Sequence, residues 1–317
     1  MKQAKTSTKI AGVDVDKRRL HAAIHGSDEA IAVDNTVAGI SDLIAWLKAR
    51  EVGRVGMEAT GGYERALRAA SDEAGLEVVV HQPLEVRRFA VFKRLKAKND
   101  RLDARLIAMA TAHVNAVKAA GDPRLGELAD RLTAYEHVSD QLASLKGFME
   151  QVRLKDLAKD LNAQIRALEK LKAKLLAEVL RVIKSHADLA RRLKLLLSLP
   201  GVGPVVGATL VARMPELGAM TRGQAASLLG VAPFDRDSGQ YKGMRFIAGG
   251  RGRPRRMMYL AALGARRCDP GFKAFAQALL DRGKPKKVAL VAIMRKLIEA
   301  ANLVLARNTP WVKAVPA

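Results

Sequence analysis

Five side chains in this sequence have a spacing or a setting that suggests chemistry. Asp100 and Asp103 stand three residues apart in "LKAKNDRLDARLIAMA", so a helix there would point both carboxylates the same way. Two carboxylates so placed repel one another unless cations share the site. Lys96, Lys98, Arg101 and Arg105 can supply that compensation as an ordinary solvated face. Asp14, in "IAGVDVDKRRL", falls in mid-strand, where an ionised group normally needs a partner or a metal. Glu58, in "VGMEATGGYERAL", ends another strand just before a glycine turn. Four converging carboxylates would hold one or two Mg²⁺ or Mn²⁺, which oxygen ligands favour over zinc. Paired ions ~3.5–4 Å apart clamp the attacking and leaving oxygens of a phosphoryl transfer. Asp16, Glu64 and Asp72 read as solvent-facing acids. The fifth side chain, Ser238, precedes Gly239 in a basic stretch. Ser-Gly by itself is a turn signal. No histidine is near in sequence, so the logic of an acyl-transfer triad does not apply. A serine can still attack phosphorus where a metal or a neighbouring domain activates it.

The stretch "VAPFDRDSGQYKGMRFIAGGRGRPRRMMYLAAL" crowds Arg236, Lys242, Arg245, Arg251, Arg253, Arg255 and Arg256 ahead of a helix that Pro254 could start. Glycine-broken loops dense in arginine suit phosphate backbones, since each guanidinium can fork two oxygens. Upstream, "SLPGVGPVVGATLVA" resembles a helix-hairpin-helix, whose turn at Gly201 and Gly203 would offer backbone N–H groups to a phosphate. A tight turn between helices with no ligand explains the same glycines equally well.

The 317 residues carry a formal charge of +23 and a sequence pI near 10.4, which point to a polyanionic partner. Nucleic acid fits better than membrane, because no basic amphipathic helix carries Trp or Phe on its other face. Aromatics are only 4%, so phosphate contacts rather than base stacking are the expected mode. The lone Cys268 excludes an internal disulfide framework and fits a reducing cytoplasm. No secretory signal is visible at the start. The uncharged run "LLLSLPGVGPVVGATLVA" reaches the ~18 residues of a membrane span, but its prolines and glycines divide it into two short buried helices.

The elements that must position the acids follow from periodicity. "KIAGVDVD", "RLHAAI" and "AIAVDN" read as three strands, and "GISDLIAWLKAR" as a helix capped near Ser41 or Asp42. "RVGMEAT" is a strand, "YERALRAASDEAG" a helix, "LEVVVHQP" a strand, and "LEVRRFAVFKRLKAK" and "DRLDARLIAMATAHV" are helices. A three-strand meander feeding α/β units is the ribonuclease H-like order, in which the first and fourth strands lie side by side. The helix of Asp100 and Asp103 would then set its first turn over them. From Leu125 to Leu197 glycine and proline nearly vanish, and Leu154, Leu157, Leu161, Ile165, Leu168, Leu171 and Leu175 form a helical stripe, either an ordinary core or an oligomerisation arm. The fold expected is α/β plus α: a ribonuclease H-like domain over 1–120, a long helical or coiled-coil connector over 121–195, and a mostly helical domain over 196–317.

Taken in order, "GVDVDK", "GMEATGGYERAL", "KNDRLDARLIA", "LPGVGPVVGATLVA", "DSGQYKGMRFIAGGR" and "GKPKKVALVAIMRKL" resemble the DEDD transposases of bacterial insertion sequences, relatives of the Piv/MooV recombinases. The resemblance implies a RuvC-like domain in which Asp14, Glu58, Asp100 and Asp103 bind Mg²⁺, and a C-terminal domain in which Ser238 becomes transiently linked to DNA. It further implies a dimerising coiled coil, a homo-oligomer with composite sites, and a guide non-coding RNA that pairs with donor and target DNA. Asn99 stands where that family usually has threonine, and Pro254 where an apolar residue is usual. The other readings of the same residues are a RuvC-like junction nuclease, in which metal-activated water attacks, and a non-catalytic nucleic-acid-binding protein.

Overall fold

A computed structural model describes residues 9–94, 100–115, 122–235, 243 and 245–312, the side chains of 100–102 excepted. The chain falls into two compact units, Met1–Ala120 and Gly121–Ala317.

In the first unit β1 (Lys9–Val15), β2 (Arg19–Ile24) and β3 (Ala30–Asp34) form an antiparallel meander, followed by α1 (Val37–Ala49), β4 (Val52–Glu58), α2 (Arg65–Glu73), β5 (Glu77–His81), α3 (Pro83–Phe92) and α4 (Asp100–Ala112). Among the described residues the sheet has the order β3-β2-β1-β4-β5, with β4 parallel to both β1 and β5. This mixed sheet is the ribonuclease H-like, RuvC-like arrangement expected from the element order. Side chains alternate across it. Ala11, Val13 and Val15 of β1 and Val55 and Met57 of β4 share an apolar cluster with Ile40, Leu43 and Leu47 of α1 and Leu67 of α2. Gly12 and Gly56 therefore face the other way, and it is α4 that covers them.

Helix α1 starts earlier than Ser41 or Asp42 would have it. Thr36 is the cap, its side chain accepting from the Gly39 amide at 3.2 Å. A Cβ on Gly39 would stand 2.1 Å from the Asp34 carbonyl oxygen, so a glycine in the first turn lets the helix begin almost directly after β3.

The second unit opens with α5 (Pro123–Met149) and α6 (Lys155–Lys184), and continues through α7 (Ala187–Leu197), α8 (Pro204–Arg213), α9 (Arg222–Leu229), a short ribbon of β6 (Pro233–Phe234) with β7 (Phe246–Ile247), α10 (Gly252–Cys268), α11 (Pro270–Asp281) and α12 (Lys286–Arg307). Leu128 and Leu132 of α5 and Val179 and Ile183 of α6 belong to one buried cluster with residues of α7 to α12. One end of the α5–α6 pair is thus built into the helical core. On the remainder of the pair only part of the leucine stripe is covered: Ile165 is buried, whereas Leu157 and Leu171 are about two-fifths exposed. The uncharged run forms α7 and α8 as two short helices, and no helix among the described residues is long and apolar enough to cross a membrane.

Candidate functional site

The strand register sets the acids. Val13 pairs with Met57 across the parallel β1–β4 ladder, so Asp14 and Glu58, one step further, are neighbours at the carboxyl ends of adjacent strands. Both have the parity of Gly12 and Gly56 and hence face α4. Asp14 is opposite His21 of β2, and Glu58 is opposite His81 of β5. The row across the sheet therefore reads His21, Asp14, Glu58, His81. Neither histidine stood out in the sequence, where each ends or interrupts an apolar run as a core histidine would. His81 is buried, and its Nε2 lies 2.9 Å from Thr111 Oγ1 of α4. Because the Thr111 hydroxyl is donated to the Ile107 carbonyl at 2.7 Å, Nε2 must carry the proton in that contact. Burial pushes the His81 pKa down, with Glu85 countering in part.

Helix α4 reaches this face because side chains are missing from it. A Cβ on Gly12 would come within 2.2 Å of the Ala108 nitrogen and 2.3 Å of the Ala104 oxygen, and one on Gly56 within 1.8 Å of Thr111 Oγ1. Ala104 and Ala108 thus lie over Gly12, and Thr111 lies over Gly56. The helix runs antiparallel to the two strands, since Arg54 near the start of β4 donates to the Val114 carbonyl just past its end. Its first turn, with Asp103, accordingly lies toward the strand ends that carry Asp14 and Glu58. Asp103 is partly buried, as are Asp14 and Glu58. The Asp100 backbone begins α4, and its side chain lies outside the described residues.

These positions fit a hard divalent cation in kind, being carboxylates on adjacent strand ends and an overlying helix. Among the described residues, no three His, Cys, Asp or Glu side chains are gathered closely enough to hold a metal ion. Among the described side chains the acids are neighbours by position without forming a closed cage.

Behind Glu58 the glycine turn is organised by an acid expected to face solvent. Glu64 Oε2 accepts from the Thr60 amide at 3.1 Å, the Thr60 hydroxyl at 2.9 Å and the Gly62 amide at 2.9 Å. Burial raises its pKa, and these hydrogen bonds outweigh burial and hold it below the usual range.

In the second unit Ser238, Arg236 and Lys242 lie outside the described residues. The β6–β7 ribbon brackets that segment in sequence, and Arg245 pairs with Asp235 at its base at 2.6 Å. The arginines assigned to phosphate are engaged within the protein. Arg251 reaches both Glu216 oxygens at 2.7 and 2.6 Å and the Arg213 carbonyl at 2.6 Å. Arg255 donates to the Gly249 carbonyl at 2.7 Å. Arg253 and the half-buried Arg213 converge on Glu136, and Arg256 forks onto Asp140. Glu136 and Asp140 are one turn apart on α5, so that helix presents a carboxylate ladder to α10. Burial lowers the Arg213 pKa, with Glu136 opposing, and the hydrogen bond to Arg256 lowers that of Asp140. At the glycine turn before α8, Gly201 has φ +76°, and its Cα abuts α10: a Cβ would meet the Ala261 oxygen at 2.2 Å. Close helix packing therefore accounts for this glycine. Gly203 is open and is the N-cap residue of α8. Helix α10 begins at Gly252, two residues before Pro254, which is buried in its first turn.

Two family models match the sequence: a DEDD transposase model over residues 11–157, and the Transposase IS116/IS110/IS902 family over residues 193–277. The chain is 25% identical over 320 residues to the pilin gene-inverting protein of Moraxella bovis, covering 96% of this chain and 98% of that protein. It is also 25% identical, over 323 residues, to the protein of the same name from Moraxella lacunata, with the same coverage. Among solved structures, Thermus thermophilus RuvC aligns at 15% identity and a TM-score of 0.28, over 32% of this chain and 92% of that one.

Proposed function

We propose that this chain, which matches a DEDD transposase model over residues 11–157 and the Transposase IS116/IS110/IS902 family over residues 193–277, cuts and rejoins DNA strands through a serine-linked intermediate supported by an acidic metal site. The observation that carries the reading is the adjacency of Asp14 and Glu58 on neighbouring strand ends, on the face covered by the helix of Asp100 and Asp103. These four carboxylates would hold Mg²⁺ or Mn²⁺, which would neutralise charge developing on the phosphoryl oxygens. Ser238 Oγ attacks phosphorus; its P–O bond forms as the bond to a sugar oxygen breaks, and the serine proton leaves with that oxygen as a hydroxyl. The number of phosphodiester-type bonds is unchanged, so the reverse attack reseals a strand without ATP. Gene inversion, the act for which the Moraxella relatives are named, is one outcome of such cutting and rejoining.

A homo-oligomer is supported by the exposed Phe148, Leu157 and Leu171 on the α5–α6 pair. A guide non-coding RNA is supported by the charge of +23, which suits any polyanion, and by the family resemblance. Purification followed by RNA extraction tests the guide: a discrete bound species is expected, and its absence refutes that part.

The chemistry is tested by trapping. A protein–DNA adduct that survives denaturation is expected in Mg²⁺, absent in Ser238→Ala and absent in Asp14→Ala and Glu58→Ala. If Ser238→Ala cleaves at the normal rate, metal-activated water is the nucleophile and the chain works as a junction nuclease. If cleavage needs no metal and survives loss of both acids, the acidic site is not catalytic.

A further inference from the structure

We infer that the cleft between the C-terminal half of α10 and the N-terminal half of α11 docks the phosphate backbone of duplex DNA. The cleft, of about 870 Å³, is lined by Leu263, Gly264, Arg266, Arg267, Lys273 and Gln277. The inference rests on this chain acting on DNA, and adds a binding surface beyond the arginines at 245–256.

The first argument is the state of the cations. Every described arginine from 245 to 256 is engaged: Arg245 with Asp235, Arg251 with Glu216, Arg253 with Glu136, Arg255 with the Gly249 carbonyl and Arg256 with Asp140. Arg266, Arg267 and Lys273 have neither an ion pair nor a side-chain hydrogen bond among the described residues. The acid between them, Asp269, is committed elsewhere: its Oδ1 accepts from the Phe272 amide at 3.0 Å and caps α11. Three cations without ion pairs, beside the single carboxylate of Asp269, leave this concave surface net positive, and a polyanion relieves their mutual repulsion while releasing its own counterions.

The second argument is continuity. Gly264, in the cleft wall, stands against the glycine turn ahead of α8; a Cβ there would be 3.2 Å from the Gly201 Cα. The turn at Gly201 and Gly203 therefore abuts the helix that forms one wall of the cleft, so the cations stand next to a glycine turn of the helix-hairpin-helix type. The third argument selects the occupant. Unpaired bases need aromatic platforms, and no aromatic side chain lines this cleft. Cations held on two packed helices have a fixed spacing, which suits the regular backbone of a duplex better than a flexible single strand.

The chain supplies its own probe, since Cys268 is its sole cysteine, is exposed and lines the same cleft. The full-length protein is labelled with a maleimide in the presence of a chelator, so that no strand is cut. A random-sequence DNA duplex at saturation is expected to slow Cys268 labelling roughly tenfold, through loss of access to the thiol. The triple variant Arg266→Ala, Arg267→Ala, Lys273→Ala is expected to lose that protection. It should also lower the slope of log affinity against log salt by roughly 2–3, one unit for each lost phosphate contact. Circular dichroism and melting of the variant check that it folds; should it not, the labelling of the unaltered chain decides alone. Unchanged labelling under saturating duplex overturns the inference, as does equal or better protection by a single-stranded RNA of the same length. Since no cleavage is involved, either failure leaves the serine-adduct experiment to stand or fall separately.

Discussion

Replacing Gly12 by alanine tests the packing that sets the acidic face. The added Cβ would stand 2.2 Å from the Ala108 nitrogen, 2.3 Å from the Ala104 oxygen and 2.8 Å from the Ala108 Cα, all of them backbone atoms that no rotamer change can move. To restore an ordinary contact of 3.4 Å, α4 would have to recede by roughly 1.2 Å over its length, or β1 would have to buckle. Overpacking of this kind typically costs about 1–3 kcal/mol, and a clash with rigid backbone on both sides belongs at the upper end, about 3 kcal/mol. Displacing the helix also moves Asp103 away from Asp14, so strand cleavage should fall more than stability alone accounts for; a misplacement of about 1 Å can cost on the order of a hundredfold in rate. The assay is urea unfolding followed by Trp46 fluorescence in a Trp311→Phe background, which leaves one tryptophan, in the first unit. Gly26→Ala is the control, because Gly26 has φ +74° but nothing within 4 Å, and it should cost only the left-handed backbone penalty of about 1 kcal/mol. If Gly12→Ala unfolds at the same urea concentration as the parent, α4 does not lie on this face as argued.

Glu136 is 12% exposed and binds Arg213, itself 10% exposed, so Glu136→Ala leaves that guanidinium without its counter-charge, held only by the Ala129 carbonyl and the Thr133 hydroxyl, and should cost roughly 3 kcal/mol in chemical unfolding. Removing the half-exposed Glu169, paired with Lys146, should cost less than about 1 kcal/mol. His81 is held neutral in the fold by burial, its pKa below the ordinary 6.5. In the unfolded chain it takes up a proton as the pH falls through 6.5, so stability is full above that value and declines below it toward the lower folded pKa. The slope of the first unit's unfolding free energy should be at most about 1.4 kcal/mol per pH unit and should vanish in His81→Gln. Asn302, buried on α12, accepts from the Gly218 amide at 2.8 Å and donates to the Met220 carbonyl at 2.7 Å. Asn302→Leu leaves both unsatisfied and should cost about 2–3 kcal/mol, read from the melting temperature.

The order of the first unit was legible because its strands and helices are written in short-range periodicity. The meander "KIAGVDV", "RLHAAI", "AIAVD" and the position of Glu58 at a strand end follow from alternation and turn residues, whereas Asp14, expected in mid-strand, is one residue from the end of β1 because that strand stops at Val15. The close seating of α4 was also present in the sequence, as Gly12 in mid-strand opposite Ala104 and Ala108 and Gly56 opposite Thr111. It could not be read there, because pairing a glycine with an alanine some ninety positions away needs the fold first. The cap of α1 was misplaced for a local reason: Ser41 and Asp42 are good cap residues, but Thr36 comes earlier and its amide partner is a glycine that tolerates the crowding. The partners of the basic stretch were hidden for the same reason as the seating of α4. Asp140 lies 116 positions before Arg256, and nothing local marks it as a counter-ion.

That pairing changes which arginines are free to meet a phosphate. A net charge of +23 counts every guanidinium alike, but a guanidinium already saturated must be released before it can bind DNA. Arg256 and Asp140 are 64% and 53% exposed, and an ion pair in that setting is worth less than about 1 kcal/mol, so an incoming phosphate displaces the carboxylate at little cost. Arg251 is held by three acceptors from two segments, Glu216 and the end of α8, and exchanging all of them for one phosphate would loosen the junction of α8 with α10. Arg256→Ala should therefore weaken duplex binding and leave the melting temperature nearly unchanged, whereas Arg251→Ala should lower the melting temperature and change affinity little at temperatures where the fold persists. Equal losses of affinity from both substitutions, with stability intact in each, would mean that the internal contacts of Arg251 give way to DNA as readily as those on the surface.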